Sequence, residues 1–591
     1  MLCNNKLIKE KSMSLFKFDN FTFNTSYENN LLHEEIKQIK DGDVSEFALK
    51  LVFAKGEEPK QYSIVWEQEQ IDTCSLWSPI ASFIRNIRPD WAMCKQPSRL
   101  ASGMPIMAVY SKSDENRGSI ALSDPSIASE ILVGVVEENA CLRFQINLFT
   151  QKCAQMDEYE LTIRIDRRKI PVAKAITDIK AWWTDIGFKP MNVAENASLP
   201  MYSTWYSFHQ HTIPSEIIKE CKIAKALGMD SVIVDDGWQT DDNSRGYGFC
   251  GDWEVASAKI PDMKAFVDEI HALGMKFIIW FSVPFVGIHS KVYEKFKGMY
   301  LKSRSTYDAY VLDPRFKVVR DYLCGIYCDY VKRYGWDGLK LDFIDSFMLT
   351  DDSSKDFEKM DVVSVEKGLE MLLEQVCTEL QKINPDIMIE FRQSYVGPSI
   401  SKYASFFRVT DCPNDPFINK THSLDLRLTS KGTPVHSDMI MWHKDETPEA
   451  VAYQLQATMF AVPQISVRFD NITSEQYKVL ENYLSFWKNH RDTILNGELE
   501  LLDFNAGFSM AKSKKDGECI AVLYQGVAYT VTEKEEYIFN STGFDGIFIE
   551  TPSAVYEIYD IYGCKVCSGK LDAGVHKIPL KNCQMIKLAT C

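Results

Sequence analysis

The sequence predicts a multidomain chain, α/β and β: a central (β/α)8 TIM barrel between an N-terminal β-sandwich and a small C-terminal β-sandwich. Three observations predict it. The chain has 591 residues, more than one hydrophobic core serves. Its two ends are built of short runs in which apolar and polar residues alternate, the pattern of half-buried antiparallel strands. Its middle instead alternates buried strand-like runs with amphipathic helical spacing, and eight such strands fall between residues 195 and 495.

Taken in order, residues 1–190 form the first β domain, with alternating runs at 46–53, 141–148 and 159–165 separated by polar turns. Helical spacing over 171–188, with Trp182 and Trp183, forms a bridge. The barrel spans 195–495. Its strands are expected at 201–208, 231–235, 276–282, 338–342, 387–392, 405–410, 433–437 and 464–468. Helices are expected between them at 215–227, 262–273, 316–334, 362–383, 448–460 and 474–490. Residues 500–591 return to short strands (519–524, 555–559, 574–580) and form the smaller β domain.

Composition narrows the function. Hydrophobic residues make up 45% and charged residues 25%, as in an ordinary globular protein. The net charge of -16 argues against nucleic acid and anionic membrane surfaces as partners. No apolar run has the length of a membrane-spanning helix, and residues 1–17 lack a signal-type apolar core. The 16 cysteines are scattered singly, matching neither a disulfide framework nor a CxxC zinc pattern; Cys324 and Cys328 read as two helix residues. A cytoplasmic location is expected.

A barrel enzyme works at the C-terminal ends of its strands. Here those ends carry Trp205, Tyr206 and His209; Asp235, Asp236 and Trp238, with Trp253 beyond; Trp280; Lys340, Asp342 and Asp345; Glu390 and Arg392; Arg408 and Asp411; and Asp438. Carboxylates and lysine bind hydroxyls, and tryptophan faces cover the C–H face of a pyranose, so the set suits a neutral polyhydroxylated ligand such as an oligosaccharide or glycoside. No glycine-rich loop opens a helix after the last two strands, and no paired histidines stand at metal spacing. His209 and His211 read as surface or supporting residues. No metal and no cofactor are expected.

Glycoside cleavage needs two carboxyl groups flanking one bond. Asp342, two residues from Lys340 on one strand face, is the candidate nucleophile, with the lysine keeping it ionised; a structural ion pair capping the strand is the alternative. Asp411, two strands away, is the candidate acid/base, expected to begin protonated through burial and the charge of Asp342. Asp415 is its rival, in a segment rich in turn formers. Trp205, Trp253 and Trp280 have a packing alternative, and Asp235 and Asp236 a turn alternative.

In this order, Trp205-Tyr206, Asp235-Asp236-Gly237-Trp238, Gly251-Asp252-Trp253, Trp280, Lys340-Leu341-Asp342-Phe343 and Arg408 to Asp411 resemble the motifs of glycoside hydrolase family 36, the clan D α-galactosidases. The resemblance covers residues 200–440. It implies retaining hydrolysis of terminal α-linked galactose-type sugars, with Asp342 as nucleophile and Asp411 as acid/base. It also implies Asp235 and Asp236 on the 4- and 6-hydroxyls, Lys340 on ring hydroxyls, Arg408 near the 2-position and Trp280 on the sugar face. Two departures stand out. Arg392-Gln393-Ser394-Tyr395 replaces the Cys-Gly-type turn near the 2-hydroxyl, so Arg392 reads a different 2-substituent or a charged group, or fills the subsite. Asp411-Cys412-Pro413-Asn414-Asp415 lacks the family spacing, which keeps Asp415 open. The other functions in view are an α-N-acetylgalactosaminidase, an α-galactosyl transglycosylase and a non-catalytic sugar-binding barrel; the chain is also a possible homo-oligomer.

Overall fold

A computed structural model describes residues 12–28, 31–79 and 84–590. The sequence reading of residues 1–11 therefore lies outside the described residues. The first β region packs two six-stranded antiparallel sheets face to face. One runs Ser12–Phe18, Phe21–Tyr27, Tyr62–Glu69, Cys141–Leu148, Ser129–Val136, Cys94–Ser98 in spatial order. The other runs His33–Lys40, Val44–Val52, Glu158–Asp166, Asn116–Leu122, Ile106–Tyr110, Ser75–Trp77. Along Val44–Val52 every second residue is buried, so one face feeds the core while the other meets solvent. Aromatic pairs fill that core; Phe23 meets Phe47 edge-on at 4.9 Å, and Trp66 stacks on Phe144 at 5.2 Å.

Eight parallel strands then form the barrel: β1 Met201–Ser203, β2 Ser231–Val234, β3 Lys276–Ser282, β4 Gly338–Asp342, β5 Met388–Arg392, β6 Phe406–Arg408, β7 Val435–His436 and β8 Gln464–Ile465. Each pairs in parallel with its neighbour, β1 pairs with β8, and a parallel bridge between His436 and Val462 brings β7 against the β8 segment. The fold class is the one the sequence predicts. β1 stops early because Trp205–Phe208 coils into a helical turn. Met201, Ile233, Ile278, Met388 and Phe406 plug the barrel floor. Above them lies a polar layer, in which Arg408 Nε donates to Glu390, and Gln464 Nε2 bonds to Glu390 at 3.1 Å and His436 at 3.2 Å. Buried polar groups of this kind are tolerable only when paired.

Among the elements that escaped the sequence reading, two bear on the site. A three-stranded flap (Phe285–Gly287, Tyr300–Arg304, Ala309–Leu312) follows β3. The turn-rich segment after Asp411 opens a helix, Pro416–Thr429, because proline suits a first helical turn. That helix is held by the sandwich: buried Asp425 accepts from Trp77 Nε1 at 2.7 Å and pairs with Arg85 at 2.8 Å. The sandwich also braces the barrel mouth, where Arg99 donates to the carbonyls of Asp345 and Phe347, and Gly103 N–H to Ser394 O. A seven-stranded and a three-stranded sheet finish the chain and share a third core. Among the described residues no helix is long and apolar enough to cross a membrane, and every described cysteine is free.

Candidate active site

Lys340 and Asp342 stand two apart on β4 and share one face, both buried at the C-terminal mouth. Their closest partners differ from the sequence expectation. Lys340 Nζ donates to Asp235 Oδ2 at 2.6 Å, across to the end of β2. Asp342 is met instead by Arg392 from β5, whose Nε lies 2.8 Å from Oδ1. The Tyr395 hydroxyl and the Phe343 N–H also donate to Oδ1, the latter at 2.9 Å. Phe343 takes a left-handed backbone (φ 63), which turns the chain so that its N–H faces back at Asp342. Oδ2 receives, among the described residues, a single side-chain donor, Trp280 Nε1 at 3.1 Å. Burial raises the Asp342 pKa, but Arg392 first and Lys340 second, helped by Tyr395 and Trp280, outweigh it. The carboxyl is held well below its ordinary range. Arg392 is thus the foremost cation acting on it, where the sequence reading had named only Lys340.

Asp235 and Asp236 follow β2. Lys340 neutralises Asp235, and Asp236 accepts from Gln210 and Gln239 amides, each at 2.6 Å. Burial pushes Asp236 up to about 6. Gly237 closes this turn at φ +114, where a Cβ would fall 2.5 Å from the Gln210 backbone, so only glycine lets the turn pack there.

Asp411 lies just past β6 with its side chain 46% exposed, and Arg408 Nη1 pairs with it at 2.9 Å. Against the burial it does have, Arg408, Arg392 and Lys340 lower its pKa. The sequence expectation of a protonated Asp411 therefore fails in the unliganded chain. Three cations face it, and their combined field exceeds both desolvation and the repulsion from Asp342.

Four further expectations are corrected by placement. Arg408 is 1% exposed and commits its donors to Glu390, Asp411 and Asp438, so it underlies the mouth and does not reach into it. Asp438 is fully buried beneath it, accepting also from Tyr206 Oη at 2.9 Å and Cys412 N at 2.6 Å; burial pushes it up to about 6. Trp238 and Trp253 are 0% and 1% exposed and stack on one another within the core behind Trp280. The Trp238 Nε1–H donates to the Trp280 carbonyl at 2.8 Å, so this pair steadies Trp280 from behind. Trp205 is half-buried, with its ring 4.4 Å from that of His209.

Asp415 caps the helix Pro416–Thr429, accepting from the N–H groups of Phe417 and Ile418 at 3.1 and 2.9 Å. Capping gives it a structural task. Asp415→Ala is expected to cost about 1 kcal/mol of stability in chemical denaturation, with turnover of folded protein retained; a collapse of turnover at unchanged stability would return Asp415 to the chemistry.

Sequence reasoning missed Tyr247 and Gln210 and gave no role to Tyr395 and Gln239. Tyr247 stacks on Trp280 at 6.1 Å and meets Phe343 edge-on at 5.1 Å, extending the aromatic wall. Tyr395, three residues past the end of β5, carried a positional signal; the other three lie in loops whose paths no periodicity fixes.

Similarity to known proteins agrees with this geometry. The family model described as Melibiase matches residues 199–412, the part of the barrel that holds Asp235, Lys340, Asp342 and Asp411. The chain is 31% identical over 151 residues to α-galactosidase Mel36A of Lactobacillus acidophilus, covering 24% of this chain and 19% of that one. It is 32% identical over 128 residues to α-galactosidase 1 of Pediococcus pentosaceus, covering 20% and 16%. Among solved structures, the α-galactosidase of Lactobacillus brevis superposes with a TM-score of 0.64 at 14% identity, covering 100% of this chain and 84% of that one. Over its barrel the chain is similar to glycoside hydrolase family 36 α-galactosidases. The matched segments span less than a fifth of those two curated relatives' own length. A second family 36 structure, α-galactosidase AgaA of Geobacillus stearothermophilus in complex with raffinose, has a TM-score of 0.61 at 13% identity, covering 97% of this chain and 82% of that one. The matched region includes the polar ends of the first six barrel strands.

Proposed function

We propose that the chain is a retaining exo-α-glycosidase that removes terminal, non-reducing α-linked galactose-type sugars by double displacement. The observation that carries this reading is the asymmetry around Asp342. Among the described residues three donors surround Oδ1, while Oδ2 keeps only Trp280. An ionised carboxylate with one oxygen anchored by several donors and the other less engaged is arranged for nucleophilic attack through the second. Oδ2 is then the atom that bonds to the anomeric carbon. Asp411 lies on the adjoining side of the mouth, two strands on, and takes the acid/base role. A retaining pair calls for a carboxyl separation of about 5–5.5 Å when substrate is bound. Formation of the glycosyl ester removes the Asp342 charge, which had been raising the Asp411 pKa. Asp411, having given its proton to the leaving group, then stays ionised and can accept a proton from the incoming water.

Sugar preference rests on the relatives, which are named α-galactosidases, and on Asp235 and Lys340 at the end of β2 and β4. Arg392 fills space beside Asp342, so a bulky 2-substituent would collide with it; this favours a 2-hydroxyl over a 2-acetamido sugar. The test is a panel of α-galactosides, α-N-acetylgalactosaminides and α-glucosides followed by proton NMR. The expected result is release of galactose with the α-anomer formed first. A β-anomer formed first would overturn the retaining mechanism, and turnover confined to 2-acetamido sugars would overturn the sugar assignment.

A further inference from the structure

The flap after β3 brings positive charge to a mouth that belongs to a chain of net charge -16. Lys302 and Arg304 stand two apart on the strand Tyr300–Arg304, so they point to the same side of it. Both are half-buried, and among the described residues neither makes an ion pair. Arg304 lies over the Tyr307 ring at 4.7 Å, and Tyr307 in turn lies beside Phe343 and Tyr247, the rings that wall Asp342. Arg392 covers the Phe343 ring at 5.4 Å. Arg99 arrives from the sandwich and holds the carbonyls of Asp345 and Phe347. Four cations thus gather around one carboxylate outside the first ring of contacts to Asp342, namely that of Asp345, whose buried Oδ1 has no hydrogen-bond partner. Burial and the like charges of Arg304 and Arg99 lower the Lys302 pKa, outweighing the opposing charge of Asp345.

We propose that Lys302 and Arg304, backed by Arg99, form a subsite for an anionic group (carboxylate, sulfate or phosphate) on the part of the substrate beyond the reacting sugar. This rests on the glycosidase reading above and narrows it to glycosides with a charged aglycone. An anion placed there would take charge-assisted hydrogen bonds from side chains that make no ion pair among the described residues and would relieve the repulsion that Asp345 only partly offsets. The global negative field works against anions at long range, so selectivity comes from this local cluster and weakens with salt.

The test compares 4-nitrophenyl α-galactoside with its carboxylate-bearing and phosphate-bearing aryl analogues, in wild type and in Lys302→Met/Arg304→Met. Wild type is expected to favour the charged aglycones in kcat/KM by roughly tenfold at low ionic strength, less at high salt. The double variant is expected to bring that ratio near one. The carboxylate and phosphate arms show which anion fits better. Equal ratios in wild type and variant would overturn the proposal while leaving the glycosidase reading intact. Should no aryl galactoside turn over, the glycosidase reading falls, and calorimetric titration with inorganic phosphate and sulfate decides the subsite. Binding lost in the double variant supports it, and binding that is absent or unchanged rejects it.

Discussion

Asp342→Ala is expected to lower kcat/KM for an α-galactoside by roughly 10⁴-fold or more, because it removes the atom that forms the glycosyl bond. The geometry makes this specific. Trp280, Arg392, Tyr395 and the Phe343 N–H all converge on that carboxylate, and none of them can replace it as a nucleophile. Removing the carboxylate also leaves the largely buried Arg392 without its partner, at a cost of several kcal/mol. Asp342→Asn is therefore the companion variant: it keeps the shape, and thermal unfolding shows whether it folds. Azide added to Asp342→Gly is expected to restore cleavage of an activated glycoside and to give a product of inverted configuration. Near-normal turnover by well-folded Asp342→Asn would move the nucleophile elsewhere.

The second large effect concerns Asp411 and depends on the leaving group. Arg408, Arg392 and Lys340 lower its pKa, so near neutral pH little of it is protonated in the free protein. An acid must carry its proton to act. Activity on substrates with a poor leaving group, such as an alkyl α-galactoside, is therefore expected to fall as pH rises above the lowered pKa of Asp411, close to tenfold per pH unit. Aryl leaving groups of low pKa need no proton, so their first step is expected to stay nearly flat over the same range. Asp411→Ala is expected to cost about 10²–10⁴-fold on the alkyl substrate and far less on cleavage of a dinitrophenyl galactoside, whose deglycosylation then becomes limiting. A burst of phenol release would show that. Equal losses on both substrates would point to a binding role for Asp411. A pH optimum for alkyl substrates near 7 would mean that the substrate breaks the Arg408–Asp411 pair on binding and restores the proton.

Much of the fold was legible because its signals are local. The strands Lys276–Ser282 and Gly338–Asp342 were readable as strands to the residue, since a buried run bounded by turn formers admits few alternatives. The Lys340/Asp342 pair was legible for the same reason: a period of two puts both on one face. The short strands Val435–His436 and Gln464–Ile465 were located but overextended, because only two residues of each keep ladder hydrogen bonds. The helix Pro416–Thr429 was missed because Cys412-Pro413-Asn414-Asp415-Pro416 reads as a turn until Asp415 is seen capping the residues after it.

The sequence by itself determined which groups stand at the ends of the barrel strands, and with that the class of chemistry they suit. Only the tertiary structure decided how those groups divide the work. It gave Lys340 to Asp235 and Arg392 to Asp342, put Asp411 in the field of three cations, drew Trp238 and Trp253 into the core and left Trp280 against the carboxylate. The reason is physical: periodicity fixes the face on which a side chain lies, but charge pairing and burial depend on distances between strands that are far apart in the chain.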